Sequence, residues 1–332
     1  MYHRRKYSKL LDVELQKSVE AKFAELQSKN SQDIKDPGLS VLSLSLKDVD
    51  KLTPETIQQT IDQLKTFLFA GHDTTSTLLQ WCFYELGRSP RIAQTLREEL
   101  DTVLGPETEP AAVSKAILEG GEELLSKLTY TSAVVKEILR LYPPAGSARM
   151  VPPGSGFMVR SPDGSETCLD GMVIYLGHYS IQRNPTTFGE TADDFLPERW
   201  VGNVDTSAEE DGVRTEQKGQ SDMKIPVSSW RPFERGPRNC IGQGLANIEA
   251  RVAIACLARR YDFIKVGMGA LLERDGKPVL NAKGQYEVSD PMLNVSFTLL
   301  VLCPLRYSNT LFQTRQITSK PLDNMMMKAR YR

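Results

Sequence analysis

One helical period runs unbroken between two proline boundaries, and it constrains the fold more than any other feature of the chain. Ile57, Ile61, Leu64, Leu68, Thr75, Leu78, Cys82 and Leu86 keep helical spacing from Pro54 to Pro90. Thr53 offers an N-cap hydroxyl and Pro54 suits the first helical position. Roughly 35 residues at 1.5 Å each give a helix of about 50 Å, long enough to cross a whole domain. The remaining elements must pack around it, which points to a mainly α fold.

Other segments fill in that frame. Residues 1–30 read as a charged helix with Leu11, Leu15, Val19, Phe23 and Leu26 on one face. Residues 31–50 read as a loop with a short apolar piece. A helix is expected over 90–103, a polar loop over 105–123, and a helix from about Ser126 to Leu141 that stops at Pro143-Pro144. Short strand-like runs broken by Gly and Pro follow over 145–182. Residues 201–229 are charged and poor in apolar side chains, which suggests a surface insertion. A helix from Ile241 to Tyr261 carries Leu245, Ile248, Val252 and Cys256 on one face, and the tail, with its apolar run from Val295 to Val301, suggests a terminal sheet. The fold class expected is mainly α with small β-sheets.

Bulk properties exclude several functions. The net charge is −1, so no global field favours nucleic acid. No apolar run reaches the roughly 18 residues that a transmembrane helix needs. The basic start, residues 1–9, is not followed by an apolar stretch and is no secretory signal. Five cysteines without C-x-x-C spacing, and three histidines, suggest neither a disulfide framework nor a zinc site.

The chemistry sits in Phe233-Glu234-Arg235-Gly236-Pro237-Arg238-Asn239-Cys240-Ile241-Gly242, which ends where a helix begins. A cysteine there meets unpaired backbone N–H groups and the positive end of the helix dipole, and both favour thiolate. Gly236 and Gly242 allow a flat ligand to come close to the backbone. Phe233 can pack beside the sulfur, and Arg238 can meet a carboxylate.

The pattern F-x-x-G-x-R-x-C-x-G resembles the heme loop of the cytochrome P450 family. By average residue usage it would recur by chance on the order of once in ten thousand chains of this length. The resemblance implies a heme-thiolate monooxygenase with heme b (iron protoporphyrin IX), Cys240 being the axial ligand of the iron. It also implies further features, which occur in the expected order. Ala70-Gly71-His72-Asp73-Thr74-Thr75 resembles the oxygen-activation motif, with Asp73 and Thr74 as the catalytic proton-delivery pair. A Thr74 hydroxyl can bond the carbonyl of residue 70 and loosen the helix there. Glu137 and Arg140 resemble the family's E-x-x-R pair, and Arg199, in Pro197-Glu198-Arg199-Trp200, completes the brace under the heme loop. A second E-x-x-R, Glu85 to Arg88, ends the long helix and reads as a surface pair. Arg149 resembles an arginine near the heme carboxylates, with residues 145–148 facing substrate.

The resemblance implies further that one atom of O2 is inserted into a small apolar organic substrate. Electrons would come from NADPH through a flavoprotein reductase, received on a loop made positive by Arg231, Arg235 and Arg238. Dioxygen-independent rearrangement would not need Asp73 and Thr74. The specific motifs fall within residues 45–265 of a single partial domain, 1–332. Only 52 residues precede Thr53, so an N-terminal portion, with any anchor to the cytosolic face of the endoplasmic reticulum, is expected to be missing. Leu64, Leu68 and Leu78 would then be exposed. The alternative is a truncated heme-binding remnant without turnover.

Overall fold

The computed structural model describes residues 2–28, 40–201, 225–289, 294–295, 320–321 and 325–332. Two compact units are present, residues 1–73 and 74–332.

The first unit holds α1 (Tyr2–Ser28), α2 (Val41–Leu46) and the first half of α3 (Pro54–Arg88). Val19, Leu46 and Ile61 form its small core, with Leu15, Phe23 and Leu26 packed against them. Thr53 caps α3 as expected: its hydroxyl accepts from the Thr56 N–H at 3.2 Å. The apolar piece read as part of a loop is helical, because Ser40 caps it by accepting from the Ser43 N–H.

In the second unit, α4 (Pro90–Leu104), α5 (Pro110–Ser126) and α6 (Thr129–Leu141) follow the second half of α3. The expected polar loop over 105–123 is largely α5. Val113, Ile117 and Leu125 are its buried side chains, the first two standing four apart, and Pro110 opens the first turn. Gly121, at φ 55°, kinks it. Buried side chains lie all round α6, which marks it as the centre of the core. Glu99 of α4 accepts from the Tyr130 and Thr131 N–H groups and so caps α6 from outside.

Antiparallel pairs β1 (Ser147–Met150) with β4 (Val173–Leu176), and β2 (Met158–Arg160) with β3 (Glu166–Cys168), occupy the region of expected strands. Two short helices follow, α7 (His178–Ile181) and α8 (Pro185–Phe188), then a 3-10 turn at Pro197–Trp200. The expected insertion over 201–229 falls mostly outside the described residues. Helix α9 (Gln243–Leu257) is shorter than expected, since residues 261–265 pair as β5 (Tyr261–Lys265) with the last strand. Its buried residues are Ala250, Ile254 and Ala255; of the face named from the sequence, Val252 and Cys256 pack against the core while Leu245 and Ile248 are exposed. Small side chains face the core because α9 packs closely on α5 and α6. The tail adds β6 (Glu273–Arg274) with β7 (Lys277–Pro278), β8 (Asn294–Val295) with β9 (Lys320–Pro321), and β10 (Met327–Tyr331), which pairs β5. Most of the 295–301 run lies outside the described residues.

Candidate active site

Glu137 and Arg140 project from adjacent turns of α6 and are fully buried. Arg140 forks onto both carboxylate oxygens, at 2.8 and 2.7 Å. Its other N–H groups donate to the carbonyls of Gln182, Ala192 and Asp194 at 2.9, 2.6 and 3.0 Å. Glu137 also accepts from Arg199 Nε at 3.3 Å, Trp200 Nε1 at 2.7 Å and the Leu196 N–H at 3.1 Å. Both guanidiniums lie over the Phe188 ring, 4.8 and 5.7 Å from its centre. The pair thus ties α6 to the segment 182–200, Arg140 through residues 182–194 and Glu137 through residues 196–200. The roles of Trp200, Phe188 and the three carbonyls had no sequence signal of their own.

The second E-x-x-R is not on the surface. Glu85 is 2% exposed, 3.3 Å from Arg88, and accepts from the Tyr142 hydroxyl at 2.6 Å. Tyr142 in turn stacks on Trp81 at 3.9 Å. The last turn of α3 lies in the main core, where spacing alone suggested solvent.

The cysteine loop is held at two points, one on α6 and one on Gln182 at the end of α7. Trp230 Nε1 donates to the Lys136 carbonyl at 3.1 Å, and the Arg231 N–H donates to Gln182 Oε1 at 2.6 Å. Phe233 packs against the core beside Trp230. Its carbonyl accepts from the Cys240 N–H at 2.8 Å, which closes the loop at its neck. Within the neck Glu234 and Gly236 take left-handed φ values of 61° and 79°, a conformation that costs a non-glycine residue at 234. Space around Gly236 is open. Cys240 is exposed, and a Cβ on Gly242 would stand 3.8 Å from its sulfur. Beyond it, Ile241, Leu245 and Ile248 are 92%, 67% and 43% exposed, an apolar stripe leading away from the thiol. Arg238 is exposed with no carboxylate partner among the described residues.

Glu234 pays for its strained backbone with contacts. Arg231 lies 2.7 Å from one oxygen; Arg149 and His178 Nε2 lie 3.5 and 3.6 Å from the other. Burial raises the Glu234 carboxyl, but hydrogen bonds from Ser147 and Arg231 outweigh it and hold it below the usual range. His178 is buried; Nδ1 donates to the Ala145 carbonyl at 3.0 Å. Burial pushes its pKa down, against the pull of Glu234. Arg231 is therefore half-buried and ion-paired, not part of a surface patch as expected. Arg149, on β1, leans on Glu234 at the rim of an open apolar pocket of about 350 Å³ lined by Met150, Val151, Pro152 and Phe157.

Asp73 and Thr74 are half-buried on α3, which is a continuous helix through residues 70–75. Gly71 is exposed, and a Cβ there would meet nothing. Leu68 is 51% exposed, as expected, whereas Leu78 is in the main core and Leu64 is half-buried.

The family model described as cytochrome P450 matches residues 2–288. The chain belongs to the cytochrome P450 family. It is 35% identical over 270 residues to the cytochrome P450 monooxygenase acrF of Aspergillus aculeatus, covering 79% of this chain and 52% of that protein. It is 38% identical over 201 residues to the monooxygenase polC of Polytolypa hystricis, covering 60% and 32%. The crystal structure of a cytochrome P450 (CYP102L1) superposes with a TM-score of 0.60 at 20% identity, covering 98% of this chain and 56% of that one. The chain thus spans about half or less of the length of these P450s. Heme b, held by a thiolate, is the family's standard cofactor. Among the described residues, no helix is long and apolar enough to cross a membrane.

Proposed function

We propose that the chain provides the heme-thiolate centre of a monooxygenase that inserts one atom of O2 into a small apolar organic molecule. The observation that carries this is the exposed Cys240 thiol, at the mouth of a loop closed by its own N–H and framed by Gly236 and Gly242.

The site fits heme b in three respects. Its donor is a single soft sulfur, the free and exposed Cys240 thiol. Ile241, Leu245 and Ile248 offer apolar surface beside the sulfur. Arg238, exposed, suits a carboxylate, and Arg149 would be a second such cation. When bound, heme supplies dioxygen binding and O–O cleavage, favoured by the electron push of the thiolate.

The chain's own residues do the rest. Cys240 stands two residues before Gly242, the N-cap of α9, so its sulfur sits at the start of that helix. Phe233 and Trp230 anchor the loop, and Glu137, Arg140 and Arg199 brace the segments that hold it. Asp73 and Thr74 move protons towards the oxygen. Electrons come from NADPH through a flavoprotein reductase, a reading supported by the relative named bifunctional cytochrome P450/NADPH–P450 reductase from Gibberella moniliformis, 32% identical over 230 residues.

The test is spectroscopic. Protein reconstituted with heme, reduced and exposed to CO should show the red-shifted Soret band of a thiolate ligand. Cys240→Ser should lose that band and Cys256→Ser should keep it. A band unchanged in Cys240→Ser overturns the ligand assignment.

A further inference from the structure

Gln182, at the end of α7, is fully buried and uses every polar atom of its amide. Nε2 donates to the carbonyls of Leu139 and Arg140, both at 3.0 Å. These carbonyls belong to the last turn of α6, where a helix has no acceptors' partners of its own. Oε1 accepts from the Arg231 N–H at 2.6 Å. The residue's own carbonyl accepts from Arg140 Nη1 at 2.9 Å. One side chain thus joins the end of the helix carrying Glu137 and Arg140 to the backbone that enters the cysteine loop.

We propose that Gln182 is a positioning residue that sets the cysteine loop against α6, and through it the place of Cys240. The inference deepens the heme-thiolate reading and rests on it for its consequence, though not for its geometry. From Arg231 the connection continues. The Arg231 guanidinium holds Glu234 at 2.7 Å, and Glu234 is the residue held in the left-handed region at the neck. That same carboxylate meets Arg149 at 3.5 Å. A shift of the Arg231 backbone therefore moves the Glu234 turn and releases the constraint on the Phe233–Cys240 closure. The amide is suited to this because it donates twice on one side and accepts on the other. A hydrocarbon of the same length can do neither, and a carboxylate can only accept.

Helix-end capping alone would also keep Gln182 buried, so the test must read the loop beyond the residue it touches. Hydrogen exchange of the full chain should be compared for wild type, Gln182→Met and Gln182→His. The Met variant is expected to raise exchange at the Cys240 N–H roughly tenfold, the size set by losing one or two buried hydrogen bonds. Amides of α4 and α5 should stay unchanged. The ratio of alkylation at Cys240 to that at Cys168, which is also exposed and lies on β3, should change in parallel. Gln182→His, with one donor and one acceptor, should restore both readouts in part. If Gln182→Met does not fold, Gln182→Asn, too short to reach both sides, is judged by the same criteria.

Unchanged Cys240 exchange and an unchanged alkylation ratio in a folded variant overturn the proposal and leave Gln182 a helix cap. So does exchange that rises equally in α4, α5 and the loop. With heme, CO and reductant added, loss of the red-shifted Soret band in the Met variant is the expected consequence. Absence of that band in wild type would sink the heme-thiolate reading, while the exchange and alkylation results would still decide the role of Gln182.

Discussion

Replacing Arg140 by leucine removes five hydrogen bonds from a site without solvent. Two go to Glu137 and three to the carbonyls of Gln182, Ala192 and Asp194. Breaking a buried pair by deleting one partner costs about 3–5 kcal/mol. Glu137 keeps Arg199, Trp200 Nε1 and the Leu196 N–H, so the low end of that range applies. Each stranded carbonyl adds about 1 kcal/mol or more. The total, about 6 kcal/mol, is comparable with the whole margin of about 5–15 kcal/mol of an ordinary domain. Arg140→Leu should therefore fail to accumulate as soluble protein. Arg140→Lys keeps the charge but loses the fork, and should unfold at clearly lower denaturant than wild type. Trp200 and Trp230, beside the brace, report the transition by fluorescence. A soluble Arg140→Leu variant whose denaturation midpoint corresponds to a loss of less than about 1 kcal/mol would refute the argument that the pair is uncompensated and dry.

Other perturbations test other parts of the structure. Gly87→Ala gains helix propensity but sets its methyl on the Phe263 carbonyl oxygen of β5; unfolding should show a net loss of about 1–3 kcal/mol, and unchanged stability would mean that α3 and β5 can part freely. His178 has a folded pKa below its ordinary 6.5, so the unfolded chain binds the proton first. Its contribution is intact above about 6.5 and lost as pH falls below that value; His178→Gln should flatten the fall in stability between pH 6.5 and 5, and an unaltered slope would exclude His178 as its source. Thr74→Ala should leave heme content unchanged and raise peroxide released per NADPH oxidised; full coupling in that variant would make Thr74 a packing residue.

Local signals carried much of this protein. The period of α3, its Thr53-Pro54 start and the proline stop after α6 are backbone chemistry, written in consecutive residues. The loop 233–242 is equally local: glycines where the chain must turn or open, and a cysteine before a helix. Spacing set Glu137 and Arg140 on one helix face, and the resemblance singled them out from Glu85 and Arg88. Arg149 and Arg199 needed the resemblance, since a lone arginine carries no pattern.

What only the tertiary structure decided depends on partners far along the chain. The two E-x-x-R pairs are indistinguishable by spacing, and each is buried by its own surroundings: Phe188 and residues 182–200 for one, Tyr142 and Trp81 for the other. Helix α5 is stabilised by the burial of Val113, Ile117 and Leu125 in the main core, which only packing decides, more than by propensity. The apolar face named on α9 divides, Val252 and Cys256 packing against the core and Leu245 and Ile248 staying exposed, because its buried residues, Ala250, Ile254 and Ala255, are set by the contact with α5 and α6. Gln182 had no sequence signal, since an amide's value lies in three backbone groups that meet only after folding: two carbonyls more than 40 residues before it and an N–H almost 50 after it. Sequence thus determined elements and reactive groups, whose causes lie within a turn or two of chain. Folding determined which charges are dry and which residue holds the loop, because burial and hydrogen-bond pairing are properties of the assembled interior.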